Sequence, residues 1–147
     1  MKLSTRTRYG TRLLFELAYN YGKGPQLLNV IAEKQDISEK YLSKIVLQLK
    51  SAGIINSQRG AKGGYELAKE PSKINMLQVM NSLEGDTGVV ECVKDAGLCD
   101  KSRRCPARGF WCKLESQMVK TLESTTLEDI VNDYKVLNKE NEGTYCI

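Results

Sequence analysis

The stretch SEKYLSKIVLQLKSAGIINSQRGAKGGYEL, residues 38–67, decides the fold. Ser38 is a good N-cap for a helix through Ala52, because its hydroxyl can accept a hydrogen bond from an amide of the first turn. This helix has an apolar stripe whose residues recur at three- and four-residue spacing, and the stripe comprises Tyr41, Leu42, Ile45, Val46 and Leu49. Gly53 can end the helix in the left-handed conformation. A β-rich run and a short second strand then flank the glycine-rich turn 59–64, which predicts a hairpin.

Two further helices are predicted on the amino-terminal side of this stretch. Apolar residues at helical spacing indicate a first helix over 5–21, and the glycines that follow end it. A short helix over 27–35 and a tight turn at Asp36 then lead into Ser38. A helix, a turn, a second helix and a hairpin with a basic glycine-rich tip follow the order of a winged helix-turn-helix, whose second helix is the recognition helix.

The carboxyl-terminal side predicts three more helices. Asn75 can cap one over 76–83, and a long helix over 110–123 follows a cysteine-bearing segment. Thr125 and Glu128 have the spacing of a capping box, which would open a last helix through about Tyr134. The fold class is therefore mainly α with a small β-hairpin wing. The predicted domains are a winged helix-turn-helix over 1–85, a loop over 86–109 that needs a bound species or partner to order it, dimerisation helices over 110–134, and a flexible tail over 135–147.

The 147-residue chain carries a net charge of +4 and no histidine. Histidine-based catalytic triads and metal sites are therefore excluded, and since no catalytic set of carboxylates is recognisable, an enzyme is not expected. Residues 1–84 hold 13 Lys and Arg against 7 Asp and Glu, a net of +6, whereas residues 85–147 hold 9 against 11, a net of −2. A basic front half suits phosphate binding, although an unevenly charged solvated surface would look the same.

No run of the sequence is apolar and long enough to span a bilayer, and the first residues lack the apolar core of a signal peptide. We therefore expect a cytoplasmic protein with no membrane partner. In that compartment the five cysteines would be reduced thiols or metal ligands.

Solvent-facing residues at the start of the recognition helix are the candidates to read base edges in a double-stranded DNA operator. They are Glu39, Lys40, Ser43 and Lys44. Four other basic residues, which would position the protein without reading sequence, are expected to contact phosphates: Arg6, Arg8, Arg12 and Lys50. The hairpin tip carries Arg59 and Lys62 among small residues, and such a slim basic tip suits a narrow minor groove. The alternative is a surface hairpin whose glycines serve only the turn.

A homodimer is expected, because one winged domain contacts few base pairs and two can read paired half-sites. Phe110, Leu114, Met118 and Leu122 recur every four residues along the long helix. This apolar face exceeds what the core of so small a chain needs, which predicts that it forms the dimer interface. The alternative is that it packs on the chain's own first helix.

These residues resemble the Rrf2 family of transcriptional regulators. The opening MKLSTRTRYGTRLL, the wing core RGAKGGY, the stretch INMLQVMNSLEG and the segment FWCKLESQMVKTLESTTLEDIV are similar to that family's motifs, and the match covers about residues 1–134. The resemblance implies a dimer with crossed long helices, with Ser38 to Lys44 in the major groove and Arg59 in the minor groove. It also implies an IscR-type iron–sulfur cluster, of the 2Fe-2S type, on Cys92, Cys99 and Cys105, and hence a sensor that controls cluster-assembly genes.

The cysteine spacing departs from the zinc pattern and, in part, from the family. Six residues separate Cys92 from Cys99 and five separate Cys99 from Cys105, unlike the CxxC of structural zinc, while thiolates suit iron–sulfur clusters. Where the family's cluster regulators have a ligating histidine this chain has Arg108, so Cys112 is the leading candidate for a fourth ligand. Other candidates for that ligand are Glu91, Asp95, Asp100 and a serine, and Cys146 is treated as incidental.

Three alternatives to a cluster stay open, namely a zinc site, thiol redox sensing through a disulfide, and inert cysteines. On the same scaffold the chain could sense nitric oxide or iron. It could also regulate cysteine metabolism, as CymR-type members of the family do, with thiol redox or a protein partner in place of a cluster.

Overall fold

The computed structural model describes residues 3–85 and 88–143, with side chains described to residue 139. The helices are α1 (Thr5–Tyr19), α2 (Leu28–Gln35), α3 (Glu39–Ser51), α4 (Met76–Glu84), α5 (Glu91–Lys94), α6 (Arg108–Ser124) and α7 (Leu127–Gly143). The strands are β1 (Ile55–Gln58) and β2 (Gly64–Leu67), and short 3-10 turns lie at Pro71–Lys73, Ala96–Leu98 and Ser102–Arg104. This mainly helical chain with one two-stranded sheet has the predicted fold class. Within the described ranges, no helix has both the length and the apolar character that a bilayer crossing requires.

The helix-turn-helix is built on local signals that the sequence carries. Ser4 accepts a hydrogen bond from the Thr7 amide at 3.3 Å at the start of α1, and Ser38 accepts one from the Tyr41 amide at 3.4 Å at the start of α3. Gly53 follows α3 with a φ of 71°, the left-handed conformation that glycine adopts without strain. The apolar stripe of α3 is buried, and it comprises Leu42, Ile45, Val46 and Leu49.

The hairpin is tied to the chain that precedes α2. Strands β1 and β2 are antiparallel, with Gln58 opposite Gly64 at the turn end. Gln26 and Tyr65 exchange two backbone hydrogen bonds of 2.8 Å, each amide donating to the other's carbonyl. Only glycine fits at residue 64, because its φ is 142° and a Cβ would lie 2.7 Å from the carbonyl carbon of Gln26. Strand β2 is therefore fixed near the turn end of the hairpin to the segment between α1 and α2.

One hydrophobic core joins the helix-turn-helix to α4 and α7. Its fully buried side chains include Leu13, Leu14, Leu42, Leu49, Leu83 and Leu127. Helix α1 passes close to α4 at Gly10, where an added Cβ would run into Leu83 Cδ1 and lie 3.4 Å from Ile45 Cγ2. The core thus leaves no room for a side chain at this crossing.

The capping box that opens the last helix lies one residue later than the sequence predicts. The Thr125 carbonyl accepts a hydrogen bond from Met76 N at 2.8 Å, and Leu127 N donates to the Ile74 carbonyl at 3.0 Å. This pairing keeps the chain extended through Thr126, so the helix can begin only afterwards. The reciprocal capping pair is Thr126 and Asp129, whose two backbone amides donate to each other's side chains at 2.8 and 3.2 Å. The predicted box at Thr125 is wrong.

The last helix is also longer than predicted. It continues to Gly143 instead of ending near Tyr134, so residues 135–143, which were expected to be tail, are helical. Polarity had suggested a tail, but residues such as lysine, glutamate and leucine have good helix propensity, and a helix already nucleated by packing propagates through them. The remaining tail residues, 144–147, lie outside the described residues.

Candidate nucleic-acid interface and cysteine segment

The exposed side of α3 carries the residues predicted to read bases. Glu39, Lys40, Ser43 and Lys44 are all exposed. Ser43 Oγ donates to the Glu39 carbonyl at 2.9 Å, so its hydroxyl proton is engaged. Within the described part of the chain, the side chains of Glu39, Lys40 and Lys44 have no hydrogen-bond or ion-pair partner. Their charges are therefore free to meet a ligand.

The start of α1 lies beside α3. Arg6 and Lys44 line the same cleft of about 460 Å³, whose apolar wall includes Leu47 and Ile45. Arg6 is exposed, while the guanidinium of Arg8 donates to Thr5 Oγ1 of its own helix at 3.2 Å. Folding thus brings Arg6 next to α3, the predicted recognition helix, which residue spacing alone could not show.

Two of the predicted phosphate contacts are held by the protein itself. Arg12 Nε donates to Gln35 Oε1 at 2.8 Å, and its Nη2 donates to the Gln35 carbonyl, which links α1 to α2. Lys50 Nζ donates to Ser57 Oγ at 2.6 Å, which links α3 to β1. These two cations brace the helix-turn-helix and the hairpin, and so are less available to phosphates than Arg6 or Lys44.

A carboxylate that the sequence reasoning missed anchors the start of α1. Oε1 of Glu84, the last residue of α4, accepts hydrogen bonds from Ser4 Oγ at 2.6 Å, Thr7 Oγ1 at 2.5 Å and Ser4 N at 2.9 Å. The side-chain hydrogen bonds from Ser4 and Thr7 lower the pKa of Glu84, and the charge of Arg6 adds to the effect. Glu84 is therefore an ionised clamp that positions the turn carrying Arg6.

The hairpin tip carries two cations next to the point where Tyr65 of β2 is fixed to Gln26. Arg59 and Lys62 are exposed, and within the described residues neither side chain has a hydrogen-bond or ion-pair partner. Gly63 N donates to the Gly60 carbonyl at 3.0 Å, and the φ of 109° at Gly60 makes this turn a position for glycine. The tip is consequently narrow as well as basic.

The structure does not bring the predicted cluster ligands together. Cys92 lies in α5, Cys99 and Cys105 each follow a 3-10 turn, and Cys112 lies in α6; all four are free thiols. In the ranges 3–85 and 88–143, no three Cys, Asp or Glu side chains are grouped closely enough to hold a metal ion. Cys99 is exposed and the other three are half-buried. Cys146 lies outside the described residues.

Hydrogen bonds within the cysteine segment order it into short helical turns, where the sequence predicts an irregular loop. Ser102 is buried; its Oγ donates to the Ala96 carbonyl at 2.7 Å and its amide to the Cys99 carbonyl at 2.9 Å. Arg108 Nε donates to the Cys92 carbonyl at 3.3 Å and so links α6 to α5. Arg108, which stands where the resemblance places a ligating histidine, makes a structural contact here.

The long helix α6 has no buried residue along its 17 positions. Leu114, Met118 and Leu122 line an open apolar groove of about 340 Å³ together with Leu3 and Met80, and Phe110 is 59% exposed. Inside the chain the helix packs chiefly on α4 and α5, not on α1 as the alternative prediction had it. Of the four residues of the predicted interface face, Phe110 is therefore exposed in a single chain, and Leu114, Met118 and Leu122 are half-buried beside the open groove.

A helix-turn-helix with a free cationic recognition face and a slim basic wing defines a class, the winged-helix DNA-binding regulators of transcription. The chain belongs to the Rrf2 family, whose model, described as an iron-dependent transcriptional regulator, matches residues 3–133. This confirms the family resemblance seen in the sequence.

Individual relatives are regulators of more than one kind. The chain is 39% identical over 133 residues to the HTH-type transcriptional regulator CymR of Bacillus subtilis, covering 90% of this chain and 91% of CymR. The solved structure of that protein, described as the global cysteine regulator, matches with a TM-score of 0.77 at 37% identity and covers 90% of this chain and 97% of CymR. The structure of IscR from T. potens matches with a TM-score of 0.76 at 35% identity, covering 91% and 88%.

Proposed function

We propose that the chain acts as a homodimer that binds an operator duplex with α3 in the major groove and the hairpin tip in the minor groove. The observation that supports the proposal is a set of exposed cations whose side chains form no hydrogen bond or salt bridge within the described part of the chain, two of which, Arg6 and Lys44, line one cleft. The set comprises Arg6, Lys40, Lys44, Arg59 and Lys62. Arg12 and Lys50 instead donate hydrogen bonds to Gln35 and Ser57 of the protein itself. The exposed cations without such hydrogen bonds are therefore the better candidates to contact DNA.

The proposed contacts divide by chemistry. Lys40 and Lys44 would donate to guanine acceptors, and Glu39 would accept from a cytosine amino group. Ser38, whose hydroxyl accepts from the Tyr41 amide, would donate to a base acceptor, and Ser43, whose hydroxyl proton is engaged by the Glu39 carbonyl, would accept from a base amino group. Arg6 and Arg8 would contact phosphates, while Arg59 and Lys62 would enter a narrow minor groove.

The proposed dimer interface is the apolar groove along α6. A 17-residue helix with no buried residue is costly to leave in water, and its half-buried leucines and methionine suit a second copy. Two copies would then present two recognition helices to paired half-sites.

Selection from a random duplex library, followed by titration of the selected duplex, tests the DNA proposal. We expect affinity to fall steeply as salt rises, because phosphate contacts release counterions. Arg59→Ala should weaken binding by about tenfold or more where AT-rich flanks narrow the minor groove, and less where GC-rich flanks widen it.

Lys23→Ala is the matched control for the DNA proposal, because Lys23 is exposed beyond the opposite end of α1 and should leave affinity unchanged. Equal losses for both variants would contradict the proposed surface. Light scattering that shows a monomer at micromolar concentration would contradict the dimer.

We further propose that the cysteine segment is the sensing element. The sequence-based form of this proposal is a 2Fe-2S cluster on Cys92, Cys99 and Cys105 with Cys112 as fourth ligand, sensing cluster status for the cluster-assembly genes. As arranged, these cysteines do not fit a cluster, because within the described residues no three candidate ligands converge. Cluster binding would require α5 and the turns after it to rearrange, including the contact from Arg108 to Cys92.

Thiol-based sensing is the second candidate, as a cysteine-metabolism regulator that uses thiol redox or a protein partner. It is favoured by four free thiols, one of them exposed, and by the likeness to a cysteine regulator. Iron and sulfide content with the visible spectrum of anaerobically prepared protein separates the candidates. A coloured protein with both elements supports the cluster, whereas a colourless protein whose Cys99 resists alkylation after mild peroxide supports thiol redox.

A further inference from the structure

Leu47 is the most exposed of the large hydrophobic side chains in the described part of the chain, at 69% of its surface. It lies in α3, whose other apolar residues face the core. A leucine in the middle of an otherwise polar, solvent-facing helix surface gains nothing in the isolated chain, since burial of its side chain is what would stabilise it.

Helical spacing places Leu47 on the same face as the predicted base readers. Lys40, Ser43, Lys44 and Leu47 follow the pattern i, i+3, i+4 and i+7, so they form one stripe along α3. Leu47 lies about 10 Å further along the helix axis than Lys40. Recognition helices that lie along the major groove read bases over a stripe of this spacing.

The surroundings of Leu47 favour DNA as its partner. It lines the cleft of about 460 Å³ between the start of α1 and α3, and Arg6 and Lys44 stand on the same cleft. Among the described residues, no acidic side chain lines this cleft. Apolar surface flanked by two cations matches a thymine methyl group beside the phosphates of its strand, since that methyl is the apolar feature of the major groove.

We propose that Leu47 determines sequence specificity by packing on the C5-methyl group of a thymine in each half-site. The inference rests on the proposed function, because it requires α3 to enter the major groove. It assigns to α3 an apolar reader in addition to the polar readers Lys40, Ser43 and Lys44.

Deoxyuridine substitution tests this directly, because it removes only the methyl group of thymine. Each thymine of the duplex selected by the wild-type chain is replaced in turn, and affinity is measured by fluorescence anisotropy. For the wild type we expect one symmetry-related pair of positions at which affinity falls about fourfold per methyl group. Leu47→Ala should bind the parent duplex more weakly and lose this sensitivity at the same positions.

Leu98→Ala is the matched control, because Leu98 is similarly exposed, at 63%, but lies in the cysteine segment. It should keep the wild-type response to deoxyuridine. Circular dichroism and light scattering of each variant establish that fold and oligomeric state are retained.

Three outcomes would overturn the inference. If the wild type binds its duplex tightly but responds to deoxyuridine at no position, or if Leu47→Ala keeps the full response, Leu47 does not read a methyl group. If Leu47→Ala changes the oligomeric state, Leu47 is a contact between subunits. A wild-type chain that selects no duplex at all would instead refute the proposed function itself.

Discussion

Glu84→Gln should release the start of α1 from the end of α4, since glutamine keeps the shape of the side chain and removes its charge. Glu84 Oε1 accepts three hydrogen bonds of 2.5 to 2.9 Å from Ser4 and Thr7. A hydrogen bond to a charged group contributes about 1.5–3 kcal/mol and a neutral one about 0.5–1.5 kcal/mol. Because the three bonds share one oxygen near the surface and are not additive, we expect the free energy of unfolding to fall by about 1–2 kcal/mol.

The effect of this variant should depend on pH in a defined direction. Hydrogen bonds from Ser4 and Thr7 lower the pKa of Glu84 in the folded chain. A carboxylate with a lowered folded-state pKa stabilises the fold above its unfolded pKa, and this contribution is lost as the pH falls through the folded value. The difference between wild type and Glu84→Gln should therefore be full at pH 7 and shrink once the pH falls below about 4.

Urea unfolding, followed by far-ultraviolet circular dichroism at one fixed protein concentration, measures the difference in unfolding free energy between wild type and Glu84→Gln. It is measured once at pH 7 and once below about pH 4. In a thermal melt the expected loss corresponds to a Tm lowered by about 2–8 °C for a chain of this size. Glu123→Gln is the control, because Glu123 also lies in the last turn of a helix but is exposed and should change little. If the unfolding free energies of wild type and Glu84→Gln do not differ at pH 7, or differ equally at low pH, the ionised carboxylate of Glu84 does not hold the start of α1 to α4.

Two further predictions concern packing and capping. Gly10→Ala should lower the free energy of unfolding by up to about 2 kcal/mol, because overpacking against Leu83 outweighs the gain in helix propensity. Gly109→Ala is the control, because Gly109 lies in open space within α6, and this variant should be neutral or stabilising by up to about 1 kcal/mol. If both variants change the free energy of unfolding in the same direction, the close approach of α1 to α4 at Gly10 is contradicted. Thr126→Ala should cost about 1 kcal/mol in urea unfolding as a lost N-cap. Thr125→Ala should cost less than about 0.5 kcal/mol, so a larger loss for Thr125→Ala would restore the capping box predicted from sequence.

The proposed interface was largely predictable where its signals are local. The serine at 38, the apolar stripe after it and the glycine at 53 act within one or two turns of backbone, so spacing alone located α3 to within a residue. The free or engaged state of each cation was not predictable. Arg12 and Lys50 are held by Gln35 and Ser57 on other elements, and such contacts exist only once the chain has folded.

The cysteine segment marks the sharpest difference between expectation and structure. Residue types and spacing pointed to thiolate ligation, whereas the described residues form turns held by Ser102 and Arg108, with no three ligands grouped. Side-chain chemistry identifies which residues can bind a metal. Whether those side chains come together at one point depends on how α5 packs on α6, and sequence spacing does not determine that packing.

The sequence by itself determined the order of the elements outside the cysteine segment, the bounds of the predicted recognition helix, the basic wing and the family, because capping, periodicity and turn preferences are properties of neighbouring residues. Tertiary structure alone decided that Gln26 pairs with Tyr65, that Thr126 rather than Thr125 opens α7, and that Glu84 clamps the start of α1. The first and the last of these contacts join residues distant in the chain, and the start of α7 depends on the backbone pairing of Thr125 and Leu127 with Met76 and Ile74. The approach of these distant residues depends on the whole core closing around them.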